Sequence, residues 1–201
     1  MIAGLNASRL FPSLGLAAAI TTGVLASASV ANAQPGFAIL HSFTGSPTDG
    51  ALPYAGLIQG PDGTLYGTTL YGGANNVGTI FQMAPDGSGF TNLHSFAGYP
   101  TDGANPYAGL IQGPDGTLYG TTYGGGANNA GTVFQMAPDG SGFTVLHSFA
   151  GYTTDGAGPY AGLIQGPDGT LYGTTYGGGN SLSARGVVFQ LTLSPNVPKR
   201  R

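Results

Sequence analysis

Three histidines, eight aspartates and eleven tyrosines carry nearly all the chemistry that this sequence could perform. The histidines are His41, His94 and His147, each followed by Ser-Phe. In an extended strand they alternate with Phe37, Ile39 and Phe43, or with Phe143, Val145 and Phe149, on one face. A metal centre or a catalytic base needs partners within reach, and each histidine stands alone among apolar neighbours. The pattern predicts a structural imidazole that bonds a loop backbone.

All eight acidic residues are aspartates, and each is followed by glycine. Asp62, Asp115 and Asp168 fall in Gly-Pro-Asp-Gly, and Asp86 and Asp139 in Pro-Asp-Gly-Ser-Gly. Proline presets φ, aspartate bonds its own backbone two residues on, and glycine takes the left-handed position, so both sets read as tight turns. Asp49, Asp102 and Asp155 follow His-Ser-Phe in an Asp-Gly-Ala triplet and form the one conceivable weak cation set. Calcium takes six to eight oxygens, and one carboxylate per loop is thin. No two carboxylates lie close in sequence as a glycosidase pair, no Gly-x-Ser-x-Gly elbow is present, and no lysine follows a glycine-rich phosphate loop. The expectation is a non-enzymatic protein without cofactor or metal.

Tyrosine beside asparagine offers a different chemistry. Tyr71, Tyr123 and Tyr176 flank loops that contain Asn75-Asn76, Asn128-Asn129 and Asn180. A flat ring for stacking and an amide for hydroxyl groups suit a sugar. The same residues fit a packing role, with the tyrosine between sheets and the asparagine turning the loop. The third copy, with Asn180-Ser181 and an added Arg185, weighs toward packing.

The elements that must hold these groups come from a repeat. His-Ser-Phe recurs at a spacing of 53 residues, and so does Leu-Tyr-Gly-Thr-Thr, which begins at Leu65, Leu118 and Leu171. The units run about 41–93, 94–146 and 147–193. The sequence has 38 glycines and 14 prolines, but they recur at fixed places, so they mark turns and not low complexity. In the second unit four strands are expected, over Tyr107–Gln112, Thr117–Thr122, Thr132–Ala137 and Phe143–Phe149. The two Pro-Asp-Gly turns join them as hairpins. No segment has a capped helical period.

Four antiparallel strands per roughly 50 residues is the pattern of a β-propeller blade. The fold class expected is therefore all-β, three tandem four-stranded blades per chain. A β-solenoid is the alternative, with shorter repeats and no double hairpin. Gly36–Phe43 copies Gly89–Phe96, whereas the third unit closes at Leu193 without its fourth strand. The N-terminal strand is expected to complete the last blade, which removes two open edges. Propellers typically have four to eight blades. A homodimer formed by strand exchange would give six, against a strained three-bladed monomer or an incomplete gene product.

The first 33 residues have one charge, Arg9, then an apolar stretch over Leu14–Val30 that ends in Ala31-Asn32-Ala33. That is the form of a signal peptide cleaved after Ala33, and the interrupted stretch is marginal for a stable membrane span. The domain is then 34–193, followed by a disordered basic tail over 194–201 that holds Lys199, Arg200 and Arg201. Without Arg9, four basic residues face eight acidic ones, which excludes the basic stripe of a nucleic-acid binder. There is no cysteine, so stability must come from packing.

The order Gly124-Gly125, Gly131–Phe134, Asp139-Gly140, Leu146–Phe149, Asp155-Gly156-Ala157, Gly162-Leu163, Asp168-Gly169 and Leu171–Thr175 resembles the unit of the GloVer tandem-repeat family of exported bacterial proteins. The resemblance covers nearly all of Gly36–Leu193. It implies an exported, surface-associated protein of undefined molecular role and carries over no catalytic residue. Family members often end in an anchoring segment, whereas Ser194–Arg201 has no apolar helix, so either release from the cell or a truncated reading frame is expected. Together these features predict a secreted interaction module for an extracellular glycan or protein. The alternative is a multivalent lectin with one weak site per blade.

Overall fold

A computed structural model of the chain describes residues 36–151, 153–179 and 185–193. The expected signal peptide, the basic tail and Asn180 lie outside the described residues.

The fold is all-β, with no helix among the described residues. The first unit contains β1 (Gly50–Ala51), β2 (Ile58–Gln59), β3 (Leu65–Thr69), β4 (Tyr71–Gly72), β5 (Thr79–Met83) and β6 (Thr91–Ser95). The second repeats it with β7 (Gly103–Ala104), β8 (Ile111–Gln112), β9 (Leu118–Thr122), β10 (Gly124–Gly125), β11 (Thr132–Met136) and β12 (Thr144–Ser148). The third has β13 (Ile164–Gln165), β14 (Leu171–Thr174) and β15 (Val188–Leu191). Each unit builds one antiparallel meander, in the order β2-β3-β5-β6, β8-β9-β11-β12 and β13-β14-β15, and no sheet closes on itself. The four strands expected in the second unit are all present, although the first is paired only at Ile111–Gln112.

The hairpins form as turn chemistry dictates. Asp62 Oδ1 accepts from the Thr64 N–H at 3.0 Å and Oδ2 from the Thr64 hydroxyl at 2.9 Å. Asp139 Oδ1 likewise accepts from the Ser141 N–H at 2.9 Å and the hydroxyl at 2.6 Å. Gly63 and Gly140 adopt φ of 88° and 86°, which the aspartate's successor must do without a Cβ.

The segments between second and third strands, expected as loops, are more ordered. β4 pairs with β1, and β10 with β7, as two-stranded ribbons outside the main sheets. The first two Asp-Gly-Ala triplets thereby pair with Tyr-Gly-Gly segments, and the third makes a single bridge to its own such segment, Ala157 to Gly177.

The core lies between successive sheets. Ile80 and Phe96 of the first unit pack with Leu110, Leu118, Phe134 and Met136 of the second. Val133 and Phe149 then pack with Ala157, Leu163 and Leu171 of the third. Sheet-on-sheet packing therefore follows the repeat order. Within the second sheet the glycine of Leu-Tyr-Gly-Thr-Thr makes room for its cross-strand partner: a Cβ on Gly120 would stand 2.5 Å from the Phe134 ring.

Gly36–Phe43 departs from expectation. It forms no strand and does not pair with β15, and among the described residues the third sheet has three strands. Within its own chain the segment is placed on the first unit by its aromatic side chains. The His41 ring stacks on Phe90 at 3.7 Å, and Phe43 packs edge-on against Phe81 at 5.2 Å, holding the segment on the first unit.

Candidate functional site

The alanine of the second and third Pro-Tyr-Ala-Gly segments is held by the preceding unit. The Thr68 hydroxyl donates to the Ala108 carbonyl at 3.1 Å, and Thr121 to the Ala161 carbonyl at 3.4 Å. These bonds tie strand β3 to the segment before β8, and β9 to the segment before β13. Tyr54, Tyr107 and Tyr160, each one residue before the alanine, come together as a consequence. Tyr107 meets Tyr54 edge-on at 5.7 Å and stacks on Tyr160 at 4.2 Å.

Two of the sequence-derived site residues join that cluster. Tyr123 lies edge-on to Tyr107 at 5.5 Å and to Tyr160 at 5.3 Å. Tyr176 lies 6.2 Å from Tyr160. Tyr54 is 71% exposed, Tyr176 68% and Tyr160 46%, so the cluster is open to solvent. The Tyr160 phenol is pushed up to about 12, first by the Tyr107 hydroxyl and then by desolvation. It remains a neutral hydrogen-bond donor across the physiological range.

Tyr123, Asn128 and Asn129 also line one cavity of about 170 Å³, with Ala157 and Gly158 opposite. The asparagines have structural duties as well. Asn129 Oδ1 accepts from the Gly125 N–H at 2.9 Å, and Asn128 Nδ2 donates to the Phe149 carbonyl at 3.2 Å. Asn76 and Asn75 do the same in the first unit, toward the Gly72 N–H and the Phe96 carbonyl, each at 3.0 Å. Asn76 and Asn129 adopt φ of 55° and 54°, a conformation asparagine tolerates. Tyr71 is exposed and stands apart from the tyrosine cluster; no ring contact links them among the described residues.

The histidines correct their sequence reading. Each bonds a carboxylate eight residues on, not a loop backbone. His94 Nε2 lies 2.7 Å from Asp102, His147 Nε2 2.8 Å from Asp155, and His41 Nε2 3.2 Å from Asp49. The carboxylates have further donors: Asp49 accepts from the Thr44 and Gly50 N–H groups at 2.9 and 2.6 Å. Burial raises the Asp49 pKa, yet these N–H groups and His41 outweigh it and hold the carboxyl below its usual range. Asp155 is held down in the same sense by the Ala150 N–H and His147, against burial. The Asp-Gly-Ala set thus engages histidine and backbone. Among the described residues no three His, Asp or Glu side chains converge as a metal centre would require.

Stacking completes two of these pairs. Phe90 lies flat on His41, and Phe143 lies flat on His94 at 3.8 Å with an interplanar angle of 8°. The Tyr54–Tyr107–Tyr160 convergence and the His–Asp pairs both escaped the sequence reading. For the pairs a signal existed: a histidine and an aspartate at a fixed offset of eight in all three copies.

No curated protein matches the chain. A family model described as the Gloeobacter/Verrucomicrobia repeat matches residues 20–199. With that match spanning nearly the whole chain and all three units, the chain belongs to the Gloeobacter/Verrucomicrobia repeat family.

Proposed function

We propose that the chain is an exported, non-enzymatic, β-propeller-like repeat protein that acts as an interaction module outside the cell. The observation that carries this reading is the tyrosine cluster, where Tyr54, Tyr107 and Tyr160 bring one ring from each unit to a common place. Convergence of the segments that lead into the first strands suits blades arranged about an axis, with those strands innermost. The aspartates are already engaged in turns or in His–Asp pairs, whereas three tyrosine rings are open to solvent. Exposed aromatic groups with a polar rim suit recognition better than bond-making.

A specific observation favours carbohydrate as a second reading of the ligand. The cavity of Tyr123, Asn128 and Asn129 lies beside the Tyr160 ring, which combines amides with a stacking face. One experiment serves both readings: labelled protein is applied to a glycan array and to intact bacterial cells. Glycan binding that Tyr160→Ala abolishes supports the lectin; binding only to cells, with the same dependence, supports a protein partner. Binding to neither surface rejects the interaction module. Export is tested separately, by finding a mature N-terminus at Gln34 in the culture medium or cell envelope.

A further inference from the structure

The outer face of the third sheet is open where the first two are covered. β5 and β11 are almost wholly buried beside β6 and β12, whereas Val188 on β15 is 82% exposed. The last His–Asp pair is open too: side-chain exposure is 38% for His147 and 36% for Asp155, against 20% and 9% for His94 and Asp102.

A cavity of about 240 Å³ adjoins this edge, lined by His147, Phe149, Phe189, Leu191, Val133 and Asp155. Its aromatic walls match two sites that are filled elsewhere in the chain. Phe90 is surrounded by His41, Phe43 and Phe81. Phe143 is surrounded by His94, Phe96 and Phe134. His147, Phe149 and Phe189 are the corresponding trio in the third unit. Counting on from Phe189 as Phe143 lies from Phe134 reaches Pro198, which is no aromatic ring.

The chain has one further copy of the phenylalanine in question. Gly36-Phe37 stands to His41-Ser-Phe43 as Gly89-Phe90 stands to His94-Ser-Phe96. Phe37 is 91% exposed and Ile39 is 73% exposed. His41 and Phe43 of that segment already engage the first unit as His94 and Phe96 engage the second. β6 does this while its backbone pairs with β5, so one segment can serve a sheet edge and the next unit at once.

We propose that Phe37 of a second copy of this chain seats in the cavity against His147, with Gly36–Phe43 adding antiparallel to β15 as the fourth strand of that sheet. Strand addition satisfies the open backbone edge, and the ring supplies specificity. The occupant is a second copy because the segment repeats β6 and β12, and β15 repeats their partners β5 and β11. The contact joins unlike surfaces, and it closes at two copies when each donates its strand to the other. The register follows from the second unit, where Phe134 opposes Val145 and Gln135 opposes Thr144. Phe189 of one copy then faces Ile39 of the other, and Gln190 faces Ala38.

The test exploits the lack of any native cysteine. Full-length Ala38→Cys and Gln190→Cys chains are mixed and oxidised, and the solution mass of the unmodified protein is measured by light scattering. The expected result is a covalent dimer that contains one chain of each kind, and an unmodified mass at least twice that of the monomer. Phe37→Ser should shift the mass to the monomer without changing the circular dichroism spectrum. A monomeric mass at every concentration overturns the proposal. So does a disulfide formed only within a doubly substituted Ala38→Cys/Gln190→Cys chain, which would mean that the strand closes on its own copy. Neither result depends on which external ligand the tyrosine cluster takes.

Discussion

His94 Nε2 and Asp102 Oδ2 lie 2.7 Å apart across the junction of the first and second units. The histidine ends the outer strand of one sheet, and the aspartate precedes the ribbon of the next. A flat contact with Phe143 adds a third point to the same junction. Because the carboxylate is buried and accepts from His94 and from the Ala97 N–H at 3.2 Å, its removal leaves donors without a partner. Asp102→Ala should cost roughly 3 kcal/mol, at the upper end for orphaned buried donors. Asp115→Ala, in an exposed hairpin turn, should cost less than about 1 kcal/mol. Chemical denaturation of the two variants checks the contrast, and equal losses would refute it.

Acid should destabilise the protein. Burial works against ionisation of Asp49 and Asp155, but their N–H donors and histidines leave both carboxyls below the ordinary aspartate value. A depressed folded-state pKa contributes stability that is present above the unfolded value of about 3.9 and lost as pH falls through the folded value. The turn aspartates Asp62, Asp86, Asp139 and Asp168 are lowered by bonds from Thr64, Ser88, Ser141 and Thr170, and they act in the same sense. Melting temperatures should hold steady down to about pH 4–5 and decline below it. Asp49→Asn should flatten that decline; a melting temperature that rises in acid would contradict the assignment.

A methyl group tests the packing within the second unit, where Gly120 and Phe134 are cross-strand partners. Gly120 faces the Phe134 ring at 2.5 Å and Leu110 at 3.0 Å from the point where a Cβ would be. Gly120→Ala should therefore destabilise by about 1–3 kcal/mol, the usual range for overpacking. Gly56→Ala, where a Cβ would meet nothing within 4 Å, should be close to neutral. Thermal unfolding of both variants distinguishes a packing glycine from one needed only for turn flexibility.

The tyrosines divide into two roles. Tyr160→Ala should abolish ligand binding and leave unfolding almost unchanged, because the ring is close to half exposed. Tyr123→Ala should weaken the fold as well, since its ring packs where Gly158 has no side chain, 2.7 Å from a Cβ placed there. Calorimetric melts alongside binding measurements separate the two. Loss of binding in Tyr123→Ala alone would shift the site away from Tyr160.

The strands were legible in the sequence because period-two patterning and Pro-Asp-Gly turns act over a few residues. Leu118–Thr122 and Thr132–Met136 fall inside their expected ranges for that reason. Family membership was legible as well, through motifs at fixed spacing. The tyrosine cluster was not: Tyr54 and Tyr160 are 106 residues apart, and only intersheet packing brings each against Tyr107. The His–Asp bonds were hidden for another reason. Alternation placed His94 on an apolar face, and the Asp102 loop returns to that face through the β7–β10 ribbon, whose pairing rests on two-residue strands that patterning does not reveal.

Because the His–Asp pair crosses from one sheet to the next, the unit of packing is offset from any unit that could be cut out at a sheet boundary. Recombination between copies avoids this difficulty. A crossover at equivalent positions in the first two copies inserts or removes one 53-residue period and rebuilds an equivalent junction, with its imidazole, carboxylate and phenylalanine. Copy number can therefore drift over evolutionary time with no junction to reinvent.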